Sequence, residues 1–269
     1  MVSNEFLARD VLRHGAYLCL RRSNGIAPPW ASTAELDGLA GSLGLRNEFD
    51  PGDPPSIESV ALLKRTGGIA GAIPDETVLA ADWVVHVSSR QAGVVTEFCA
   101  EASRLLAPAA RIRVLRGVVR PKNYTGAAMD NWSYARQVVQ QPGPIMPNAF
   151  LVPLSKTAEW WRKDWMERHT YFLPRYDDHG RMLSEGHALA AEAGIPCLLR
   201  RTYKSETEPA AEGEYDFVTY FECSDADVPT FHQVCAALRD VSRNPEWKFV
   251  REGPTWHGRR VASWKELFA

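Results

Sequence analysis

The spacing of apolar and polar residues predicts an alternation of strands and helices along most of the chain. Gly93–Leu106 shows apolar residues at helical spacing, with Val94, Phe98 and Leu105 on one face. Thr157 begins a second predicted helix, and further helices are predicted over residues 182–193 and 228–241. Runs rich in Val, Leu and aromatic residues predict strands over residues 58–64, 82–88, 111–119, 149–154, 197–204 and 215–222, with one more within 247–252.

This order of elements predicts an α+β protein with two successive units. Residues 1–55 form an N-terminal arm and a linker rich in proline and glycine, residues 56–145 the first unit, and residues 146–269 the second. Strand pairs flanked by helices in both units indicate two ferredoxin-like halves that face one another in a barrel-like domain.

Composition and charge exclude several classes of protein. The chain of 269 residues has 31 basic and 33 acidic residues, and a net charge of −2 argues against a general nucleic-acid binder. No apolar run approaches the ~20 residues that cross a bilayer, so we expect no membrane span, and the N-terminus lacks a secretory signal. Five dispersed cysteines without CxxC spacing indicate a cytoplasmic protein with reduced thiols.

Common catalytic motifs are missing from the sequence, but two groups of residues suggest a ligand site. The seven histidines show no HExxH or zinc spacing, and there is no GxSxG or GxGxxG sequence. Lys156 and Trp160 are four residues apart at a helix start, where they share a face and could meet a flat ligand with an anionic edge. An amphipathic helix with the tryptophan in the core and the lysine in water is the simpler explanation of this pair.

The second group lies on two predicted strands close to His187. Residues at a spacing of two share a face of a strand, which places Arg200 with Thr202, and Thr219 with Phe217 and Phe221. An arginine on a mainly apolar face needs an anionic partner, because a buried unpaired charge is costly. A small anion could be that partner, and an internal carboxylate such as Glu222 or Glu185 is the alternative.

Several ordered motifs resemble the chlorite dismutase family of haem b proteins. PNAFLVPLSKTAEWW (Pro147–Trp161) is similar to the family's strand followed by KxAEWW, and YDFVTYFE (Tyr215–Glu222) to its DFxTYFE strand. GHALAAEAGIPCLLRRTYKS (Gly186–Ser205) resembles the helix of the proximal histidine followed by the strand of the distal arginine. The last helix at Phe231–Val241, the turn GPTWHG, and LRGVVRPKNYTG before them also resemble family segments.

The resemblance implies a role for each matching residue. His187 would be the proximal iron ligand and Arg200 the distal arginine. Thr202, Thr219 and Phe221 would lie on the distal side with Arg200. The cofactor would be haem b in the C-terminal half, with Asn123, Tyr124, Lys156 and Trp160 around its edge and propionates, and Trp161 packed on the haem.

Three positions depart from the family pattern. The chain is longer than the family between Trp161 and His187, and the extra residues include Tyr171–His179. That length makes His169, within an M-x-x-H-T sequence, an alternative ligand, although His187 has the gapless spacing to Arg200. The carboxylate that orients the proximal histidine falls at about Arg243, with Glu246 three residues further on. Thr202 also makes the distal side more polar than in the family.

The resemblance implies a haem oxidoreductase that converts chlorite to chloride and O2 at a ferric haem. It also implies a homo-oligomer, for which a pentamer is one family arrangement. A haem enzyme of the same fold acting on another substrate is the first alternative, either an aldoxime dehydratase or a peroxidase or oxidase of an organic nitrogen compound. A ferredoxin-like binding module without catalysis is the second.

Overall fold

Eight antiparallel strands close into a barrel in the computed structural model. The structure describes residues 12–23, 32–47, 56–119 and 146–269. Going around the barrel, the strands follow the order β10, β9, β5, β1, β4, β3, β12, β6, and the ring closes because β6 also pairs with β10. The short strands β2 and β11 pair outside this ring, with β3 and β6 respectively. The architecture is therefore mixed helix and strand with a closed antiparallel barrel.

The first half of the barrel contains β1, β3, β4 and β5. Its elements are β1 (Arg13–Arg22), α1 (Thr33–Ser42), β2 (Arg46–Asn47), β3 (Ser59–Ile69), α2 (Glu76–Leu79), β4 (Trp83–Ser89), α3 (Ala92–Leu106) and β5 (Ala110–Val119). In α3 the apolar residues recur at helical spacing and are buried against the sheet, as the sequence predicts.

The second half contains β6, β9, β10 and β12. Its elements are β6 (Asn148–Lys156), α4 (Ala158–Arg162), α5 (Trp165–Thr170), β7 (Arg175–Tyr176), β8 (Met182–Ser184), α6 (Gly186–Ala190), β9 (Leu199–Lys204), β10 (Phe217–Cys223), α7 (Val228–Arg239), β11 (Val250–Glu252), β12 (Thr255–Val261) and α8 (Trp264–Phe268). Short 3-10 turns lie at Glu192–Gly194, Asp225–Asp227 and Pro245–Phe249. Thr157 caps α4, where its side chain accepts a hydrogen bond from the backbone N–H of Trp160.

The two faces of each strand enter different cores, because successive side chains point to opposite sides of a sheet. Tyr17, Leu115, Tyr220 and Trp256 pack with other buried residues inside the barrel. The outer face of the first half packs under α1, α3 and α8 in an apolar core. The outer face of the second half packs under α6 and α7, and the candidate site lies at one end of that face.

Some sequence expectations differ from the structure. Arg13–Arg22 was placed in an arm within residues 1–55, but it forms β1 and pairs with both β4 and β5. The helix predicted over 182–193 is strand β8 followed by the single turn α6 and a 3-10 turn. Gly186 adopts a φ of 67° at the start of α6, which breaks a continuous helix. Strand β12 and helix α8 were not predicted.

Among the described residues, the helices are all too short or too polar to cross a membrane.

Candidate functional site

A cavity lies on the outer face of the second half, where β9 and β10 meet the end of β6. The helix α6 and the 3-10 turn Pro245–Phe249 cover it. The residues that line it are Leu154, Lys156, Phe172, His187, Arg200, Thr202, Phe217, Thr219, Glu246, Trp247 and Val250. Five residues that the sequence singles out therefore line one cavity, together with Phe217 from the predicted strand face.

A buried carboxylate links the imidazole of His187 to the ammonium of Lys156. Nδ1 of His187 lies 2.6 Å from Oε2 of Glu246. The other carboxylate oxygen of Glu246 accepts a short hydrogen bond from Nζ of Lys156. The side chains of Lys156 and Glu246 are each 5% exposed, so solvent screens this ion pair little.

The charges of this group depend on one another. Burial by itself raises the pKa of the Glu246 carboxyl, but the adjacent Lys156 and His187 more than offset it and hold the pKa well below its usual range. Burial lowers the pKa of the Lys156 ammonium, and the carboxylate of Glu246 opposes that shift. Glu246 is therefore an anion at neutral pH and a strong acceptor for His187.

The contacts of His187 select one tautomer of its ring. Its Nδ1 faces the Glu246 carboxylate, which only accepts hydrogen bonds when ionised. Its Nε2 lies 3.4 Å from an NH group of Arg200, which only donates. The neutral ring with its proton on Nδ1 satisfies both neighbours. The lone pair of Nε2 then points into the cavity, which is the arrangement of a metal-binding histidine.

Arg200 brings a buried positive charge to the other side of this lone pair. The residue is 6% exposed, and its guanidinium lies 5.9 Å from the centre of the Phe221 ring. Burial lowers the pKa of Arg200 to about 10, against the opposing effect of Glu246, so it stays charged at neutral pH. The two carboxylates considered as its partners lie elsewhere, since Glu222 contacts Arg201 and Arg260, and Glu185 contacts Arg243.

Hydroxyl groups and an aromatic ring complete this wall of the cavity. Thr202 pairs with Thr219 across β9 and β10, and Phe217 lies two pairs further along, on the same face of β10 as Thr219. The hydroxyl of Thr202 is buried and has no hydrogen-bond partner among the described residues. A buried hydroxyl without a partner is costly, so this group is suited to a ligand in the cavity.

Trp160 and Trp161 surround the site without lining the cavity. Nζ of Lys156 lies 4.3 Å from the centre of the fully buried Trp160 ring, but Lys156 ends strand β6 rather than sharing a helix face with Trp160 as the sequence predicts. Trp161 stacks on Phe217 with ring centres 6.3 Å apart, and its Nε1 donates to Oδ2 of Asp216 at 3.3 Å. Trp160 therefore packs against Lys156, and Trp161 against Phe217, on the side away from the cavity.

Other predicted residues lie further away or outside the described residues. Phe221 packs against Phe231 in the core under α7, and it reaches the site only through Arg200. His169 is half-buried on α5 and is absent from the cavity wall. Asn123 and Tyr124 lie outside the described residues.

The structure identifies two residues that the sequence did not assign. Glu246 contacts Nδ1 of His187, which corrects the expectation that the carboxylate partner of His187 falls at about Arg243. Arg243 instead points outward and pairs with Glu185. The sequence signal for Glu246 was its nearness to the expected position. Phe172 comes from the extra segment, for which the family motifs offer no guide.

The donor set of this site fits an iron porphyrin. A neutral imidazole with a carboxylate on Nδ1 and its Nε2 lone pair in a cavity would be able to hold iron. In the positions shown, the cavity measures about 40 Å³, room for a few water molecules, and Arg200 covers Nε2. A ligand bound at Nε2 must therefore displace the Arg200 guanidinium.

Comparison with known proteins identifies the fold. No family model matches the chain, and no curated protein sequence matches it. Its structure is similar to that of chlorite dismutase from Candidatus Nitrospira defluvii, solved as a tryptophan-to-phenylalanine variant in complex with cyanide. That similarity covers 95% of this chain and 93% of that chain, with a TM-score of 0.65 and 20% sequence identity.

Two further structures of that protein are similar over most of their length. An arginine-to-lysine variant matches with a TM-score of 0.65 and 20% identity, over 98% of this chain and 96% of that chain. The complex with imidazole matches with a TM-score of 0.65 and 20% identity, over 95% of this chain and 93% of that chain. The resemblance to the chlorite dismutase family is confirmed at the level of the fold.

Proposed function

We propose that this protein is a haem b oxidoreductase of chlorite dismutase type, which converts chlorite to chloride and O2. One observation carries the proposal: His187 is held by a buried carboxylate at Nδ1, and a buried cation, Arg200, faces its Nε2. The shared fold of chlorite dismutase structures supports it.

His187 would bind the iron, with Glu246 and Lys156 fixing the direction and basicity of its ring. We propose Asn123, Tyr124, Lys156 and Trp160 for the haem edge and propionates, and Trp161 for packing beside Phe217. When bound, the iron would supply the redox chemistry of the reaction. The protein contributes position, charge and exclusion of water.

Arg200 would attract the anion, because a guanidinium keeps its charge at working pH. The hydroxyls of Thr202 and Thr219 would donate hydrogen bonds to the oxygen atoms of chlorite. Phe217 and Phe221 would keep water away from the reacting atoms, which strengthens every charge interaction in the site. Thr202, Thr219 and Phe217 line the cavity with Arg200, and Phe221 would act through its contact with the Arg200 guanidinium.

The proposal extends to the whole molecule. The sheet order β5, β1, β4, β3 in one half and β12, β6, β10, β9 in the other supports two ferredoxin-like halves with a boundary near residue 146. We further propose a cytoplasmic homo-oligomer, for which the lack of disulfide bonds among the described residues supports the reducing compartment.

Haem retention tests the ligand assignment. His187→Ala should lose the Soret absorption of haem-loaded protein after gel filtration, because the side chain that would hold the iron is removed. His169→Ala is the matched control and should keep it. Haem retained by His187→Ala and lost by His169→Ala would contradict the assignment.

Oxygen release tests the reaction. Haem-loaded protein mixed with chlorite should release O2 and chloride in equal amounts, measured with an oxygen electrode and by ion chromatography. Arg200→Ala should keep haem but release O2 far more slowly. A haem-loaded protein that releases no O2 would favour the aldoxime or organic nitrogen alternatives, and a protein that binds no haem would favour the binding module.

A further inference from the structure

Phe172 places an aromatic ring directly against the imidazole of His187. It belongs to the segment Tyr171–His179, which lies between Trp161 and His187 in the sequence. Its side chain lines the cavity and the residue is 4% exposed. The centres of the two rings lie 5.0 Å apart and their planes differ by 30°. Phe172 therefore covers part of the imidazole.

Backbone hydrogen bonds tie this segment to the start of α6, the helix that carries His187. The N–H of His187 donates to the carbonyl of Tyr171 at 3.1 Å, and the N–H of Ala188 donates to the carbonyl of Phe172 at 3.2 Å. N–H groups in the first turn of a helix have no partner within the helix, so these bonds satisfy two of them. The backbone of Phe172 is thus fixed relative to His187.

Gly186 allows this close approach. A Cβ atom at Gly186 would lie 2.4 Å from the carbonyl oxygen of Leu173, which is a clash with backbone. The φ of 67° at Gly186 is also one that residues with side chains rarely adopt. A glycine at this position therefore lets the extra segment pack on α6.

Aromatic neighbours hold Phe172 from the other side. It packs in one buried cluster with Trp160 and Phe249, and Tyr171 contacts both of those rings at centre distances of 5.8 and 5.3 Å. Packed interiors leave few voids, so the ring of Phe172 has little freedom to leave the imidazole.

We propose that Phe172 is a positioning residue for His187. Its ring limits rotation of the imidazole and keeps water from the hydrogen bond between Nδ1 and Glu246, so that Nε2 stays directed into the cavity. The value of this position for an iron ligand rests on the proposed function. The positioning itself belongs to the chain alone and can be measured without haem.

The test uses the full-length, haem-free protein with histidine labelled by 15N. The Nδ1 proton of His187 should appear far downfield in the proton NMR spectrum, because it is shared with a carboxylate at 2.6 Å. Phe172→Ala should speed its exchange with water about tenfold or more, equivalent to ~1.4 kcal/mol less protection. Phe172→Tyr keeps the ring and should restore slow exchange.

Tyr176→Ala is the matched control, since Tyr176 lies in the same segment but is 54% exposed. It should leave the exchange rate unchanged. Phe172→Leu keeps an apolar side chain of similar size, and it serves if the alanine variant does not fold. It should speed exchange as well, because a leucine cannot cover the flat ring.

An exchange rate in Phe172→Leu equal to that of the unchanged protein would overturn the positioning role. That result would leave the haem proposal intact, which stands or falls on haem retention in His187→Ala. If the unchanged protein also binds no haem, the proposed function is overturned. Slow exchange of the Nδ1 proton that depends on Phe172 would still support this inference.

Discussion

The two halves of the barrel place different side chains at equivalent positions on their outer faces. Each half has an antiparallel pair of strands at the same place in its strand order, β3 with β4 and β9 with β10. In the first half the outward pairs are Val60 with Val87 and Leu62 with Val85, and in the second they are Arg200 with Phe221 and Thr202 with Thr219. Aliphatic pairs thus stand in one half where charged and hydroxyl groups stand in the other.

The helices above these strands differ in the same way. In the first half α3 is a single helix of 15 residues that buries Val95, Phe98 and Leu106 on the aliphatic pairs. In the second half α4, α5 and α6 are short pieces that leave a cavity over Thr202 and Thr219. A closed barrel supplies the rigid scaffold in both halves, and in the second half the polar pairs form part of the wall of a cavity.

The largest expected effect comes from removing the carboxylate at the centre of the polar half. Glu246→Ala leaves Lys156 buried without its counter-charge, so we expect a loss of about 3–5 kcal/mol in the free energy of unfolding. Urea unfolding measures it. Glu185→Ala removes the exposed pair with Arg243 and should cost less than about 1 kcal/mol. Equal losses would contradict the buried role of Glu246.

Placing a threonine in the first half and a valine in the second tests whether the outer face of the first half tolerates a hydroxyl group. Val85→Thr buries a hydroxyl in a fully apolar core, where Val85 has no exposed surface, and should cost about 1–3 kcal/mol in thermal unfolding. Thr219→Val, at the equivalent place in the second half, should cost much less because the cavity wall already varies in polarity. A larger loss for Thr219→Val would break the comparison.

Acid should lower the free energy of unfolding through Glu246, which lies in the second half of the barrel. The pKa of Glu246 is lower in the folded state than in the unfolded chain, so its contribution is complete above the ordinary glutamate pKa of about 4.3 and is lost as pH falls further. One proton taken up changes stability by up to about 1.4 kcal/mol per pH unit. Glu246→Gln should flatten the curve of unfolding free energy against pH in this range. An unchanged curve would exclude Glu246 from the acid response.

The smallest expected effect is an increase in the free energy of unfolding. Thr202→Val removes a buried hydroxyl that has no hydrogen-bond partner among the described residues, and should stabilise the haem-free protein by about 1 kcal/mol. The same variant should bind anions more weakly when loaded with haem, measured by titration with cyanide or fluoride. A loss of stability would show that the hydroxyl already has a partner.

Much of the second half could be predicted from residue patterns. The sequence predicts the strand around Arg200 and the strand of Thr219, and which residues share a face on each, because a spacing of two depends only on local backbone geometry. The first strand, Arg13–Arg22, was missed as part of the barrel. It is recognised through its partners β4 and β5, which lie more than 60 residues away in sequence.

By itself, the sequence determined the α+β elements, the shared face of Arg200 and Thr202, and the thirteen residues that separate His187 from Arg200. Each of these depends on local spacing. Only the tertiary structure decided that Glu246 rather than Arg243 meets His187, and that Phe172 packs on the imidazole. Those contacts join separate elements, and their partners are set by the packing of the whole barrel, which local periodicity does not encode.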